Sequence, residues 1–239
     1  MEGLFTHAEK PLEQIEQCAV AIVGNAVERH TGFFYRDPDD NKVVLLHLQT
    51  DNLHVVDAAT ERSAQFYLRA SPAIHKRRHG DLAAKAYLVY KRNSTGRVPY
   101  GFSCPTNFFI PDTGEINLSH QNNIGLTCAT LLLAIFHMAG YQLVDYSSWK
   151  PRYADLIPQQ KLLANLIDLE KIKRFRDTGI TSKYIDAVKK QMTAIRFRPE
   201  EVIAAAVTAQ EINTMDQLEP LGYEIVQQIL TNTITTRGK

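Results

Sequence analysis

The five residues Asp37-Pro38-Asp39-Asp40-Asn41 constrain this chain more than any other stretch. Proline with clustered Asp and Asn is a strong turn signal. It separates two apolar runs, Thr31-Gly32-Phe33-Phe34-Tyr35-Arg36 and Lys42-Val43-Val44-Leu45-Leu46-His47-Leu48. Two strand-like runs joined by a short turn predict an antiparallel hairpin. Cys18 to Val23, apolar, β-branched and closed by Gly24-Asn25, predicts a strand before it, and His54 to Asp57 a short strand after it.

Helical signals follow. Residues 59 to 70 read as a helix stopped by Ser71-Pro72, and Asp81 to Tyr90 as a helix with an acidic start. Residues 8 to 17 read as a short helix or an extended lead-in, and Ile116 to Leu118 as a short strand. A polar loop, Asn123-Ile124-Gly125-Leu126-Thr127, runs into Cys128, which opens an apolar helix of about three turns ending at Gly140. Beyond Pro158 the composition changes. Gln160 to Phe175, Ser182 to Ile195, Pro199 to Gln210 and Met215 to Leu230 all carry helical periodicity. Pro199 followed by Glu200 and Glu201 is a physical start signal, with proline in the first turn and acids facing the helix dipole. The expectation is an α+β chain, with a mixed domain over 1–157 and an all-helical region over 158–239.

The net charge of +1 argues against a dedicated nucleic-acid binder. The basic clusters at Lys76-Arg77-Arg78 and from Lys171 to Arg176 read as solvated surface. No apolar run is long enough to cross a bilayer, and no basic stretch feeds an apolar one near Met1, so the expected location is cytoplasmic. The three cysteines, Cys18, Cys104 and Cys128, fit neither a zinc pattern nor a disulfide framework. No metal or cofactor is expected.

Chemistry centres on Cys128. A thiol at a helix N-terminus lies at the positive end of the dipole, which favours the thiolate. Its candidate partners are His30, which heads the first hairpin strand, and His47, near the end of the second. Antiparallel pairing brings these two ends together, so the imidazoles can serve as a base and the group that orients it. His54 is an alternative base, Asp57 an alternative third member, and Cys104 a lesser candidate nucleophile because it precedes Pro105 outside a helix start. The hairpin register decides among them, since a one-residue slip turns a side chain to the other face.

His30-Thr-Gly-Phe-Phe-Tyr35, then a turn, then Val43-Val-Leu-Leu-His-Leu48, resembles the His-x-Gly-φ-Tyr and hydrophobic-His segments of NlpC-type cell-wall hydrolases and of the lecithin:retinol acyltransferase family. In the acyltransferase family the cysteine follows both histidines on a helix, the circularly permuted order of the papain-like fold, and this chain has that order. The resemblance covers residues 18 to 145. It implies a permuted papain-like core, an antiparallel sheet packed on the cysteine-bearing helix, with His30 as general base, His47 as orienting member and Cys128 as nucleophile. The family's Asn-Cys-Glu-His-Phe surround is replaced here by Thr127-Cys128-Ala129-Thr130. The expected activity is hydrolysis of a peptide or amide through a thioester acyl-enzyme. The alternatives are an acyltransferase or lipid thioesterase with the same site, or a non-catalytic scaffold of the same fold. The helices after residue 158 are a candidate surface for a protein partner.

Overall fold

A computed structural model describes residues 3–49, 53–94, 98–102, 106–117, 125–172, 181–191, 195–209 and 212–237. Its centre is a five-stranded antiparallel sheet of β1 (Cys18–Gly24), β2 (Arg29–Arg36), β3 (Val43–Leu48), β4 (Leu53–Asp57) and β5 (Leu68–Ala70), in the order β4-β3-β2-β1-β5. The turn at 37–41 closes as expected. Asp37 N–H donates to the Lys42 carbonyl, and Asn41 takes a positive φ that suits an asparagine.

Six α-helices lie among the described residues: α1 (His79–Asn93), α2 (Cys128–Met138), α3 (Leu156–Lys171), α4 (Ser182–Lys190), α5 (Pro199–Val207) and α6 (Met215–Arg237). The strands read as continuous apolar runs because both sheet faces are covered. Val20, Ile22, Phe33, Tyr35, Leu46 and Leu48 face a large core shared with α1, α2, α5 and α6. Ala19, Ala21, Phe34, Leu45 and Tyr67 face a smaller one, closed by Leu12 and Ile15 of the N-terminal lead-in. Helix α2 is buried on every side from Cys128 to Phe136, as an all-round apolar helix must be.

Residues 59–70 do not form the expected helix. Arg62–Phe66 make a 3-10 turn and Leu68–Ala70 become β5. The reason is tertiary. The second edge of β1 needs partners for its backbone groups, and β5 supplies them, with Arg69 in turn pairing Phe5 through both backbone groups. In residues 8–17 only Leu12–Gln14 form a 3-10 turn, and the helix read over 81–90 extends to 79–93. Ile116 makes an isolated bridge to Phe109, and the remainder of that short strand lies outside the described residues.

The composition change at Pro158 coincides with the first turn of α3, where a missing N–H costs nothing. The helices beyond it divide in two. Every residue of α5 is buried, and its apolar side chains, with Leu218, Ile225 and Ile229 of α6, belong to the sheet's larger core. Helices α3 and α4 instead share a small cluster of their own, Leu166, Ile185 and Val188, joined by Phe102.

Candidate active site

The hairpin register sets the geometry. Gly32 pairs with His47, so His30, two residues before Gly32, lies diagonally across from His47 on the same face. His30 Nε2 and His47 Nδ1 are 3.1 Å apart, with the rings edge-on at 79°. His54 pairs with His47 across the next ladder, with ring centroids 5.7 Å apart. His47 thus stands between His30 and His54. Asp57 sits opposite Val44, three pairs further along, and its carboxylate meets Lys42 at 3.5 Å, away from the imidazoles.

Cys128 reaches this end of the sheet through α2. Thr127 caps the helix. Its Oγ1 accepts from the Thr130 amide at 3.1 Å, while the Thr127 amide donates to Thr130 Oγ1 at 2.8 Å, a reciprocal capping box. The amides of Cys128 and Ala129 lie between these two and have no acceptor within the helix, because the first turn has none to offer. They are the donors available beside the sulfur.

The run-in to Cys128 is held by main chain. Leu126 N–H donates to the Pro99 carbonyl at 2.9 Å, and Gly101 N–H donates to the Leu126 carbonyl at 3.0 Å. This pairing is close enough that a Cβ on Gly125 would lie 2.4 Å from the Pro99 oxygen and 2.7 Å from the Gly101 nitrogen. Gly125→Ala is therefore expected to cost about 1–3 kcal/mol in chemical denaturation, as backbone overpacking does. It should also slow alkylation of Cys128, because the strand-like segment that aligns the helix start must move.

The electrostatics tie thiol and imidazole together. Burial by itself pushes the Cys128 thiol up; the charge of His30, its hydrogen bond to the sulfur, and the Thr31 amide and hydroxyl outweigh this and hold the thiol below its ordinary range. Burial pushes the His30 imidazole down, and the facing sulfur outweighs that and raises it. Both shifts favour a thiolate–imidazolium pair. His47 is pushed down to about 4, first by burial, then by His30 and His54. It is neutral at neutral pH, so its Nδ1 lone pair accepts the Nε2–H of the His30 imidazolium. With Nε2 so committed, Nδ1 is the His30 nitrogen left to serve the thiol. Cys18 makes the contrast: equally buried from solvent but without a base, its thiol is pushed up to about 12 by burial.

The structure thus brings His30, His47 and Cys128 to one end of the sheet. Cys104, the lesser candidate nucleophile, and Asn123-Ile124 of the polar loop before Cys128 lie outside the described residues. Three neighbours of the sulfur are not singled out by the sequence. Thr31 is the residue after His30 and takes the opposite face of the pleat. The Tyr67 and Tyr100 phenols are held above their ordinary range, chiefly by burial and secondly by the Cys128 charge, and so stay neutral beside it. Thr31 is readable in hindsight from its strand position; the tyrosines arrive from distant segments.

Two hollows meet at His30. One, of about 710 Å³, is lined by Leu48, Phe66, Tyr67, Leu169 and both site histidines. The other, of about 770 Å³, holds Cys128 and is bounded by the β1–β2 loop, α3 and residues 196–199. Val23, His30 and Tyr100 line both. Among the described residues no group of three or more His, Cys, Asp or Glu side chains is arranged to hold a metal ion, and no helix is long and apolar enough to cross a membrane.

No protein-family model, curated protein or solved structure matches this chain.

Proposed function

We propose that this chain is a thiol hydrolase of the permuted papain-like type, akin to the NlpC-type and lecithin:retinol acyltransferase-like enzymes, acting on a peptide or amide through a thioester acyl-enzyme. The supporting observation is the ordered series Cys128–His30–His47, with a buried thiol at a helix start, an imidazole against it, and a neutral imidazole accepting from that one at 3.1 Å.

The mechanism follows from these groups. The Cys128 thiolate attacks the carbonyl carbon, and the Cys128 N–H stabilises the oxyanion. The His30 imidazolium gives its Nδ1 proton to the leaving amine, and the C–N bond breaks to leave a thioester. Neutral His30 then takes a proton from water, which attacks the thioester and frees the acid and the thiolate. His47 holds the His30 ring in place and stabilises its charge throughout.

His47 acts only through His30, so its removal is the milder lesion. His47→Ala should lower kcat roughly tenfold, short of the 10²–10⁴ that a general base supplies. His47→Asn, whose side-chain oxygen can accept from Nε2, should recover part of that loss. The accompanying sign is a lower pKa on the acid limb of the Cys128 alkylation profile for Asn than for Ala, because the acceptor supports the imidazolium.

The reading is tested by trapping. Incubation with p-nitrophenyl acetate and acid quenching should leave one acetyl group on the tryptic peptide containing Cys128, labile to hydroxylamine. Acetylation elsewhere, or none, would overturn it. One observation favours a second reading, an acyltransferase or thioesterase: Leu48, Phe66, Tyr67 and Leu169 give the hollow at His47 an apolar wall, and Phe66 is 58% exposed. Octanoyl transfer to an added amine or alcohol, faster than peptide cleavage, would decide for it. Helix α3 serves either reading as a wall of the cleft, with α4 packed behind it, while α5 and α6 belong to the core.

A further inference from the structure

The hollow that holds Cys128 is lined by Arg29, Lys161, Arg196 and Arg198 against Glu28 and Asp155, and its cations are not equivalent, Lys161 being exposed on α3. Arg29 is bound by Glu200 through two contacts, Nε to Oε2 at 2.6 Å and Nη2 to Oε1 at 2.9 Å. Arg198 is bound by Asp155, Nε to Oδ1 at 2.8 Å. Asp155 is buried and also takes Arg152, so its charge is spent. Arg196, half-buried, lines the same hollow, and among the described residues no carboxylate is within ion-pair distance of its guanidinium. Its carbonyl is fixed by Arg152 Nη2 at 3.2 Å, so the backbone is held independently of the side chain. Glu28, the other acid of the lining, is exposed on the β1–β2 loop.

Arg196 also acts at the site. Arg196, Cys128 and the ring of Tyr100 line the same hollow, and the buried Tyr100 phenol lies within range of both charges. A half-buried guanidinium with no carboxylate partner among the described residues is a fork suited to two oxygens of one anion.

Building on the thiol-enzyme reading, we infer that Arg196 is a specificity-determining residue that receives an oxyanion of the substrate, a carboxylate or phosphate, in the arm of the cleft that holds Cys128, while the arm beyond His30, walled by Leu48, Phe66 and Leu169, receives an apolar group. The substrate class is then an acyl or peptidyl compound anionic on one side of the scissile carbonyl and apolar on the other.

Iodoacetate and iodoacetamide form a matched anionic and neutral pair that tests this without turnover. Relative to glutathione, Cys128 should show an iodoacetate-to-iodoacetamide rate ratio raised at least about tenfold. Arg196→Met should remove that enhancement while leaving the iodoacetamide rate within about twofold, and Arg196→Lys should keep part of it. Protection of wild type by succinate but not by inorganic phosphate assigns a carboxylate; the reverse assigns a phosphate. An unchanged iodoacetate rate in Arg196→Met overturns the inference, because the imidazolium would then suffice to attract the anion. If Cys128 resists iodoacetamide altogether, the enzyme reading fails, and succinate or phosphate binding by calorimetry judges the arm alone. Binding that disappears in Arg196→Met sustains it; binding that is absent or unaltered overturns it.

Discussion

Cys128→Ala should abolish turnover, with kcat falling on the order of 10⁴-fold or more, while the protein stays folded. The loss is large because nucleophile and base act as a unit; once the sulfur is gone, His30 has no proton to take, and only the oxyanion donor and substrate binding remain. The fold should tolerate the change. Alanine is the best helix former and Cys128 stands at the first position of a well-capped helix. Cys128 is 5% exposed, so removal of its sulfur opens a small void, but the same change deletes a buried charged pair. The melting temperature should therefore match or exceed that of wild type, as when a site strained for function is relieved. Cys128→Ser, with a hydroxyl far harder to ionise, should remain close to the alanine variant. Turnover retained in Cys128→Ala would remove the thiol from the mechanism, and Cys104→Ala would then show whether the other candidate carries it.

What the sequence made legible follows from local rules. The turn at 37–41 fixed the hairpin, the hairpin fixed which ends meet, and the ends carry His30 and His47. Period-two geometry then put both rings on one face, because Gly32 opposite His47 shares its face with His30. Cys128 was visible as a helix start, although its capping partner, Thr130, stands where an acid or amide is more usual. The segment 59–70 shows the opposite case. Its helix formers lost to the pairing needs of β1, whose residues Val20 and Ile22 pair with Ala70 and Leu68, a distance in sequence that no local window contains. Tyr67, part of that same misread segment, reached the site for this reason. Tyr100 and Arg196 come from stretches without periodicity, at 98–102 and 195–199. They are brought in by a single parallel bridge, Tyr100 with Leu126, and by the ion pairs around Asp155 and Glu201. Nothing short of the folded chain places them by the sulfur.

His30→Ala should shift the reactivity of Cys128 rather than merely reduce it. In the wild type the balance on the thiol is burial against His30 and Thr31. Removing the imidazole deletes the two largest opposing contributions, its charge and its hydrogen bond, and leaves burial in command. The sign is therefore upward, to above the ordinary thiol value of 9.0. Thr31 still lowers the thiol through its amide and hydroxyl, but by contributions smaller than those lost. Measured as iodoacetamide alkylation against pH, wild type should react at neutral pH, with the rate rising through a midpoint below that of a free thiol. His30→Ala should be nearly inert there and gain rate only in alkaline solution. Turnover should fall by 10²–10⁴ for the missing base, and further for the missing thiolate. Cys18 provides the control within the same molecule, a buried thiol pushed up to about 12 that stays unlabelled in both proteins. His30→Gln separates the causes. It offers the sulfur a hydrogen bond without a positive charge, so a profile like that of alanine assigns the activation to charge, and a profile near wild type assigns it to hydrogen bonding. A His30→Ala profile that coincides with wild type would mean that the helix start alone activates Cys128, and that the two-histidine series is packing rather than chemistry.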